Sequence, residues 1–268
     1  MLHSANIKKV MGLSAWVVPR LVILVGLAVM SGAGQSAETG SQALPGWPEP
    51  VYDSEIFNYM QLDQLEYRSS DEPDLVRWDA LMWLGGDYNR LWVETEGQMA
   101  SDGEAGELER FDLEYGRLIA PFWDLQGGIR YQRNWSVGAD RDRVAAVLGL
   151  HGLAPYKFEI EADLLVSEDA DVQVQLQATY DVLLTQRLIF QPRLETAVAA
   201  SDAKDFGIGE GINSFRLGAR LRYEIRREFA PYIGLSWSRK FGRTADFARA
   251  EDEVVKNLEF VAGIRIWF

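Results

Sequence analysis

Residues 156–167 read YKFEIEADLLVS, and their alternation is the strongest signal in the chain. Tyr156, Phe158, Ile160, Ala162, Leu164 and Val166 take one face, while Lys157, Glu159, Glu161, Asp163 and Ser167 take the other. Successive strand residues point to opposite sides, so a period of two marks a β-strand; a helix would repeat every three or four. The pattern recurs on both sides of this stretch. In 171–182, Val172, Val174, Leu176, Ala178, Tyr180 and Val182 alternate with Gln173, Gln175, Gln177, Thr179 and Asp181. In 214–224, Phe215, Leu217, Ala219, Leu221 and Tyr223 oppose Arg216, Arg220, Arg222 and Glu224. In 123–132, Trp123, Leu125, Ile129 and Tyr131 oppose Asp124, Gln126, Arg130 and Gln132.

These runs are about ten to twelve residues long. A tilted strand crossing a bilayer needs roughly 9–11, whereas strands of globular proteins average roughly 5–6. About twelve candidates follow: 56–67, 75–84, 89–98, 108–118, 122–134, 142–152, 156–167, 171–182, 187–198, 212–224, 229–240 and 256–268. The fold expected is all-β, a transmembrane antiparallel up-and-down β-barrel. An even strand count suits a single-chain bacterial barrel, as do short periplasmic turns and longer outer loops. Segments 85–88, 119–121, 153–155, 183–186 and 225–228 are short, and 99–107, 135–141, 199–211 and 241–255 are longer and more polar. Only 69–74 and 168–170 break that order, which puts the N- and C-termini in the periplasm. Tyr115, Trp123, Tyr156, Tyr180, Tyr223 and Phe268 fall toward the inner rim on the outward parity; Phe111, Tyr131, Phe215, Trp237 and Phe260 fall toward the outer rim. Two aromatic girdles are the expected result. Leu258, Phe260, Ala262, Ile264 and Ile266 alternate back from Phe268, an aromatic-terminated last strand of the kind barrel-assembly machinery reads.

Upstream of the barrel, residues 1–37 read as a signal peptide. Lys8, Lys9 and Arg20 precede the apolar run LVILVGLAVM (21–30), and small residues give cleavage near Ala33 or Ala37. Residues 38–55, with Pro45, Pro48 and Pro50, form a short periplasmic lead-in, and 56–268 the outer-membrane barrel. The 268 residues carry 27 Lys+Arg against 40 Asp+Glu, a formal net charge of -13, which argues against nucleic acid as a partner. The absence of Cys removes disulfides, thiolate nucleophiles and thiolate metal sites.

The polar parity faces the lumen. Acids expected there include Glu94, Glu96, Asp112, Glu114, Asp124, Glu159, Glu161, Asp163, Asp181, Glu195, Glu224 and Glu259. The matching bases are Arg110, Arg130, Arg143, Lys157, Arg193, Arg216, Arg220, Arg222 and Arg265. Acids gather on 89–118 and 156–167 and bases on 212–224, which suggests a transverse field across the lumen, while acidic loops give the outer mouth a negative sign. Beyond the signal peptide, His151 is the one histidine, and Met60, Met82 and Met99 are the methionines. A histidine with carboxylates suits Cu(II), and thioethers suit Cu(I). The candidate metal group is His151, Asp124, Glu159, Glu161 and Met99. Met60 and Met82 read as near cross-strand neighbours, with Met82 on the lipid-facing parity. A Ser–His–acid set would need His151, and no serine stands out beside it, so no catalysis is expected.

Several strings resemble the copper resistance protein B family of Gram-negative outer-membrane proteins. They are LDQLEYR (62–68), GLAPYKFEIEADLLVSEDADV (152–172), TQRLIFQPRLE (185–195), GARLRYEIRREFAPYIG (218–234), KFGRTAD (240–246) and VAGIRIWF (261–268). The resemblance implies a barrel in the outer-membrane lipid that acts in copper tolerance, binding copper or passing it outward with a periplasmic multicopper oxidase as partner. Family members often carry a Met- and His-rich segment before the barrel, and residues 38–55 contain neither residue. Either the copper site then lies in the barrel, or copper handling is weak, delegated or lost. The alternative is a narrow porin for small solutes.

Overall fold

The computed structural model describes residues 55–69, 74–136 and 139–268. The expected signal peptide, and the lead-in as far as residue 54, lie outside the described residues. Among those described there are thirteen β-strands. These are β1 (Phe57–Ser69), β2 (Leu75–Gly85), β3 (Asn89–Ala100), β4 (Gly106–Ala120), β5 (Trp123–Ser136), β6 (Ala139–Ala154), β7 (Phe158–Ser167), β8 (Val172–Thr179), β9 (Val182–Leu183), β10 (Leu188–Ala199), β11 (Gly211–Tyr223), β12 (Phe229–Lys240) and β13 (Lys256–Trp267). Each pairs antiparallel with its neighbours, and β1 pairs with β13, so the sheet closes on itself and has no edge.

The two-residue β9 continues β8 after a break at Tyr180–Asp181, and both pair with β10. The barrel therefore has twelve staves. The break has a local cause. Pro192 of β10 lies opposite it and has no N–H to donate; the Tyr180 N–H to Pro192 carbonyl bond (3.2 Å) and the Gln191 amide to Asp181 (3.0 Å) cross there.

The barrel is inside out relative to a water-soluble protein. Leu113, Ile129, Leu148, Leu164, Leu217 and Ile233 are exposed on its outer face. Arg77, Asp112, Arg130, Glu66, Glu114 and Gln126 are buried in its interior. Among the described residues no helix is long and apolar enough to cross a membrane. Tyr115, Tyr156, Tyr223, Phe260 and Phe268 are exposed toward the strand ends, as the girdles require.

Three outward tryptophans sit directly opposite glycines: Trp78 on Gly97, Trp135 on Gly106 and Trp123 on Gly152. The indole occupies the space a Cβ would fill and covers the glycine backbone. Gly97→Val should cost about 1–3 kcal/mol by overpacking, since its Cβ would meet the Trp78 ring and stand 2.6 Å from the Glu107 carbonyl. Urea unfolding in lipid vesicles, followed by tryptophan fluorescence, measures this; an unchanged midpoint would count against the packing argument.

Two departures from the expected strands matter for the lumen. A bulge at Leu62–Gln64 in β1 and another between Leu108 and Phe111 in β4 shift the alternation, so Asp63 and Gln64, like Glu109 and Arg110, both reach inward. Residues 155–157 form a 3-10 turn before β7, which leaves Lys157 exposed on a left-handed backbone (φ 68) and not in the lumen.

One long connection, 241–255, holds a helix, α1 (Gly242–Ala250), which buries Thr244, Ala245 and Ala248. The Thr244 hydroxyl accepts from Gly209 N–H (2.9 Å) and from Asn213 Nδ2 (3.0 Å), tying two long connections together at that end of the barrel. At the β1–β2 connection, the Tyr67 hydroxyl donates to Asp74 and, with Ser69, holds that exposed carboxyl below its ordinary value.

Candidate functional site in the barrel lumen

The lumen is filled by ion pairs. Arg193 of β10 reaches across to Asp79 of β2 (2.9 Å) and Glu96 of β3 (3.5 Å), and on its own strand to Glu195 (2.7 Å). Arg77 pairs with Glu96 and Glu109, and lies 4.0 Å from Glu195. Arg220 of β11 bonds Glu66 and Gln64 of β1 at 3.0 Å, and Arg68 joins Glu66 (2.6 Å) to Glu259 (3.1 Å). Arg216 holds Glu195 at 2.8 Å, and Arg222 holds Asp181 at 2.7 Å. The bases of β11 therefore do not face distant acids across open space. They are bonded to carboxylates, and the transverse field expected from the sequence is largely neutralised at contact distance.

A second group lies on β3 to β7. Arg130 grips Asp112 (2.6 Å) and Asp163 (2.8 Å), and donates to Gln175 (2.6 Å). Arg110 contacts Glu94 (3.0 Å), Glu161 (3.5 Å) and Asp163 (3.7 Å). His151 Nε2 lies 2.7 Å from Asp163 Oδ1, and its Nδ1 lies 3.9 Å from Glu94. The imidazole leans over Gly149, whose missing side chain leaves it room.

Aromatics gather at the shorter-turn end. Tyr59 stacks on Trp83 at 6.0 Å and neighbours Trp267 at 6.2 Å; Trp83 lies 6.1 Å from Trp92, with Arg90 4.8 Å over its ring. Arg90 in turn reaches Asp124 at 3.4 Å.

The five residues expected to form a metal group are not brought together. Asp124 and Glu161 are the two cross-strand partners of His151, at its level in the barrel. Glu159 is opposite Leu153, one inward step nearer the turn, and is exposed. Met99 is opposite Gly106 at the far end of β3. Tracing β4 from Gly106 to Leu118, which faces Asp124, puts Met99 and His151 roughly 40 Å apart along the strand at about 3.4 Å per residue. The actual partners of His151 are Asp163 and Glu94, which the sequence placed in the lumen but not in the metal group. Among the described residues no three His, Asp or Glu side chains are disposed to hold a metal ion.

The inward acids Glu94, Glu96, Glu114 and Asp163 and the bases Arg130, Arg216 and Arg220 all line the lumen as expected. Asp63, Glu66, Arg68, Arg77, Asp79 and Glu109 were not anticipated. The bulges hide some of them, and β2 carries too few charges to flag its inner face. Met60 and Met82 are direct cross-strand partners, and Met60 is exposed on the outer face.

Residues 56–268 match the family model described as Copper resistance protein B precursor (CopB). The chain is 42% identical over 218 residues to the Copper resistance protein B of Escherichia coli, a match covering 81% of this chain and 72% of that protein. It is 36% identical over 218 residues to the Copper resistance protein B homolog of Pseudomonas syringae pv. tomato (strain ATCC BAA-871 / DC3000), with shares of 81% and 72%. Among solved structures, that of the NanC porin superimposes with a TM-score of 0.50 at 10% identity, over 77% of this chain and 98% of that chain; the likeness is one of fold alone.

Proposed function

The chain belongs to the copper resistance protein B family, and on that premise we propose that it serves copper tolerance from the outer membrane, binding copper in its barrel or passing it outward. The observation that carries this reading is an inside-out barrel filled by arginine–carboxylate pairs. Pairs that cross the lumen in this way narrow the path for free diffusion. A cation would move through it by exchanging carboxylate partners, each step local and selective for charge. His151, bonded to Asp163 and near Glu94, is the imidazole–carboxylate pairing within it, the donor type that suits Cu(II).

In this reading the shorter turns and both termini face the periplasm, and the longer acidic loops face outward, where they concentrate cations. The signal peptide delivers the chain, outer-membrane lipid surrounds it, and a periplasmic multicopper oxidase is the partner that hands over or accepts copper. The role is binding or conduction, not catalysis. A narrow porin is the competing reading, and the pairs that cross the lumen from β10 to β2 and β3 stand against it.

Growth of a deletion strain across graded copper, with zinc and silver alongside, tests the proposal. Sensitivity to copper alone, restored by the gene, is expected. Unchanged growth, together with an open ohmic channel in planar bilayers, would turn the choice to the porin.

A further inference from the structure

Glu114 differs from every other lumen carboxylate described above. It is 1% exposed, and neither of its oxygens has a hydrogen-bond partner. Gln126, diagonally across on β5 and equally buried, has neither side-chain atom partnered. Trp92 is the cross-strand neighbour of Glu114 on β3, and its indole packs over Gly116. On the β5 side the neighbour is Gly128, which brings no side chain toward the carboxylate.

The surrounding charges do not balance. Glu94, Asp112, Glu114, Glu161 and Asp163 share this belt with Arg110, Arg130 and His151. With all five carboxylates ionised they outnumber the three cationic groups by two, even with the imidazole protonated. Arg110 and Arg130 are already engaged by the other four acids. An uncompensated buried charge costs several kcal/mol, so Glu114 either keeps its proton or takes a cation at that point.

We propose that Glu114 and Gln126 hold an oxygen-preferring divalent cation of the Mg2+ or Ca2+ class inside the barrel. The donors are carboxylate and amide oxygens, with no sulfur, and the one nearby imidazole is bound to Asp163. Such oxygen donors suit these ions, whereas Cu(I) seeks sulfur and Cu(II) an imidazole. Mg2+ commonly takes only one or two carboxylates and keeps part of its hydration shell, which is why a site of this kind needs no convergent trio of acids. Its charge equals the local excess. The site is separate from the copper reading and would exist whether or not copper travels the lumen.

The test uses the whole chain, folded in detergent at physiological salt, with Mn2+ as a paramagnetic probe competed by Mg2+ and Ca2+. Spin resonance should count one Mn2+ per barrel, displaced by Mg2+ or Ca2+ and lost in Glu114→Gln. Gln126→Ala should weaken binding by roughly tenfold, the equivalent of one lost contact. The wild type should also unfold at a higher temperature with Mg2+ than with EDTA. Absence of Mn2+ binding in the wild type, which needs no variant to fold, would overturn the proposal. So would an ion count unchanged by Glu114→Gln, or binding of Cu2+ with Mg2+, Ca2+ and Mn2+ all inert.

Discussion

Arg193→Ala will destabilise the barrel by about 3–5 kcal/mol and open a conducting path through it. The side chain is 3% exposed and lies within 3.5 Å of Asp63, Asp79, Glu96 and Glu195, while also donating to Gln177 at 2.7 Å. Truncation removes one cation and strips Asp79 of its guanidinium, while Glu96 keeps Arg77, Glu195 keeps Arg216 and Asp63 keeps Arg265. The buried Asp79 charge then dominates the cost, as it does wherever one partner of a buried pair is deleted. Space opens as well, because a guanidinium is what joins β10 to β2 and β3 across the lumen. Arg193→Lys will recover only part of the loss, since an ammonium is a point charge and cannot present the planar fork that serves several acceptors at once. Urea unfolding in lipid vesicles measures the stability, and single-channel recording in planar bilayers measures the path. A loss under about 1 kcal/mol, with conductance equal to wild type, would show that these pairs neither brace nor block the lumen.

Much of the barrel was legible because two faces with opposite demands write a strict alternation. Tyr156–Val166 and Val172–Tyr180 read outward at every second residue, and the structure agrees from Phe158 onward. What was not legible follows from places where the alternation is broken by geometry. At Leu62–Gln64 the bulge turns Asp63 inward beside Gln64, and no period-two reading can yield two adjacent inward residues. In β4 the same device turns Glu109 inward next to Arg110. Leu165 is a case of the opposite kind: apolar and 2% exposed, it lies on the lumen face, packed with Ala145 and Val147. Helix α1 writes only a weak periodic signal, because the residues it buries are two alanines and a threonine.

The candidate site was legible as a set of inward residues but not as partnerships. Which carboxylate meets which arginine depends on register across non-adjacent strands. His151 is expected with Asp124, Glu159 and Glu161, yet its ring leans toward Asp163 over Gly149. Only the absence of a side chain at residue 149 gives it that choice, and sequence alone does not reveal that a glycine is roofed by a neighbour.

The outer face permits a prediction whose sign separates a membrane barrel from any water-soluble one. Leu148 is 51% exposed and lies within β6, opposite Gly127 on one side and Leu164 on the other. On a soluble protein, exchanging such a leucine for arginine would be nearly neutral or would raise solubility, because surface substitutions usually stay within about 0.5 kcal/mol. In a bilayer the same exchange puts a guanidinium among acyl chains. Leu148→Arg will therefore cost about 2–4 kcal/mol if the residue sits near mid-depth, falling toward zero nearer an interface. Moving the substitution along the outer face, from Leu150 through Leu148 and Ala146 to Val144, will trace that depth profile, with the maximum marking the bilayer centre. Urea unfolding in lipid vesicles gives each value. A flat profile near zero would mean that Leu113, Ile129, Leu148 and Leu164 do not face lipid, and the outer-membrane location would fall with it. A peaked profile would fix the height of the barrel in the membrane, and so the depths at which Glu114 and His151 lie.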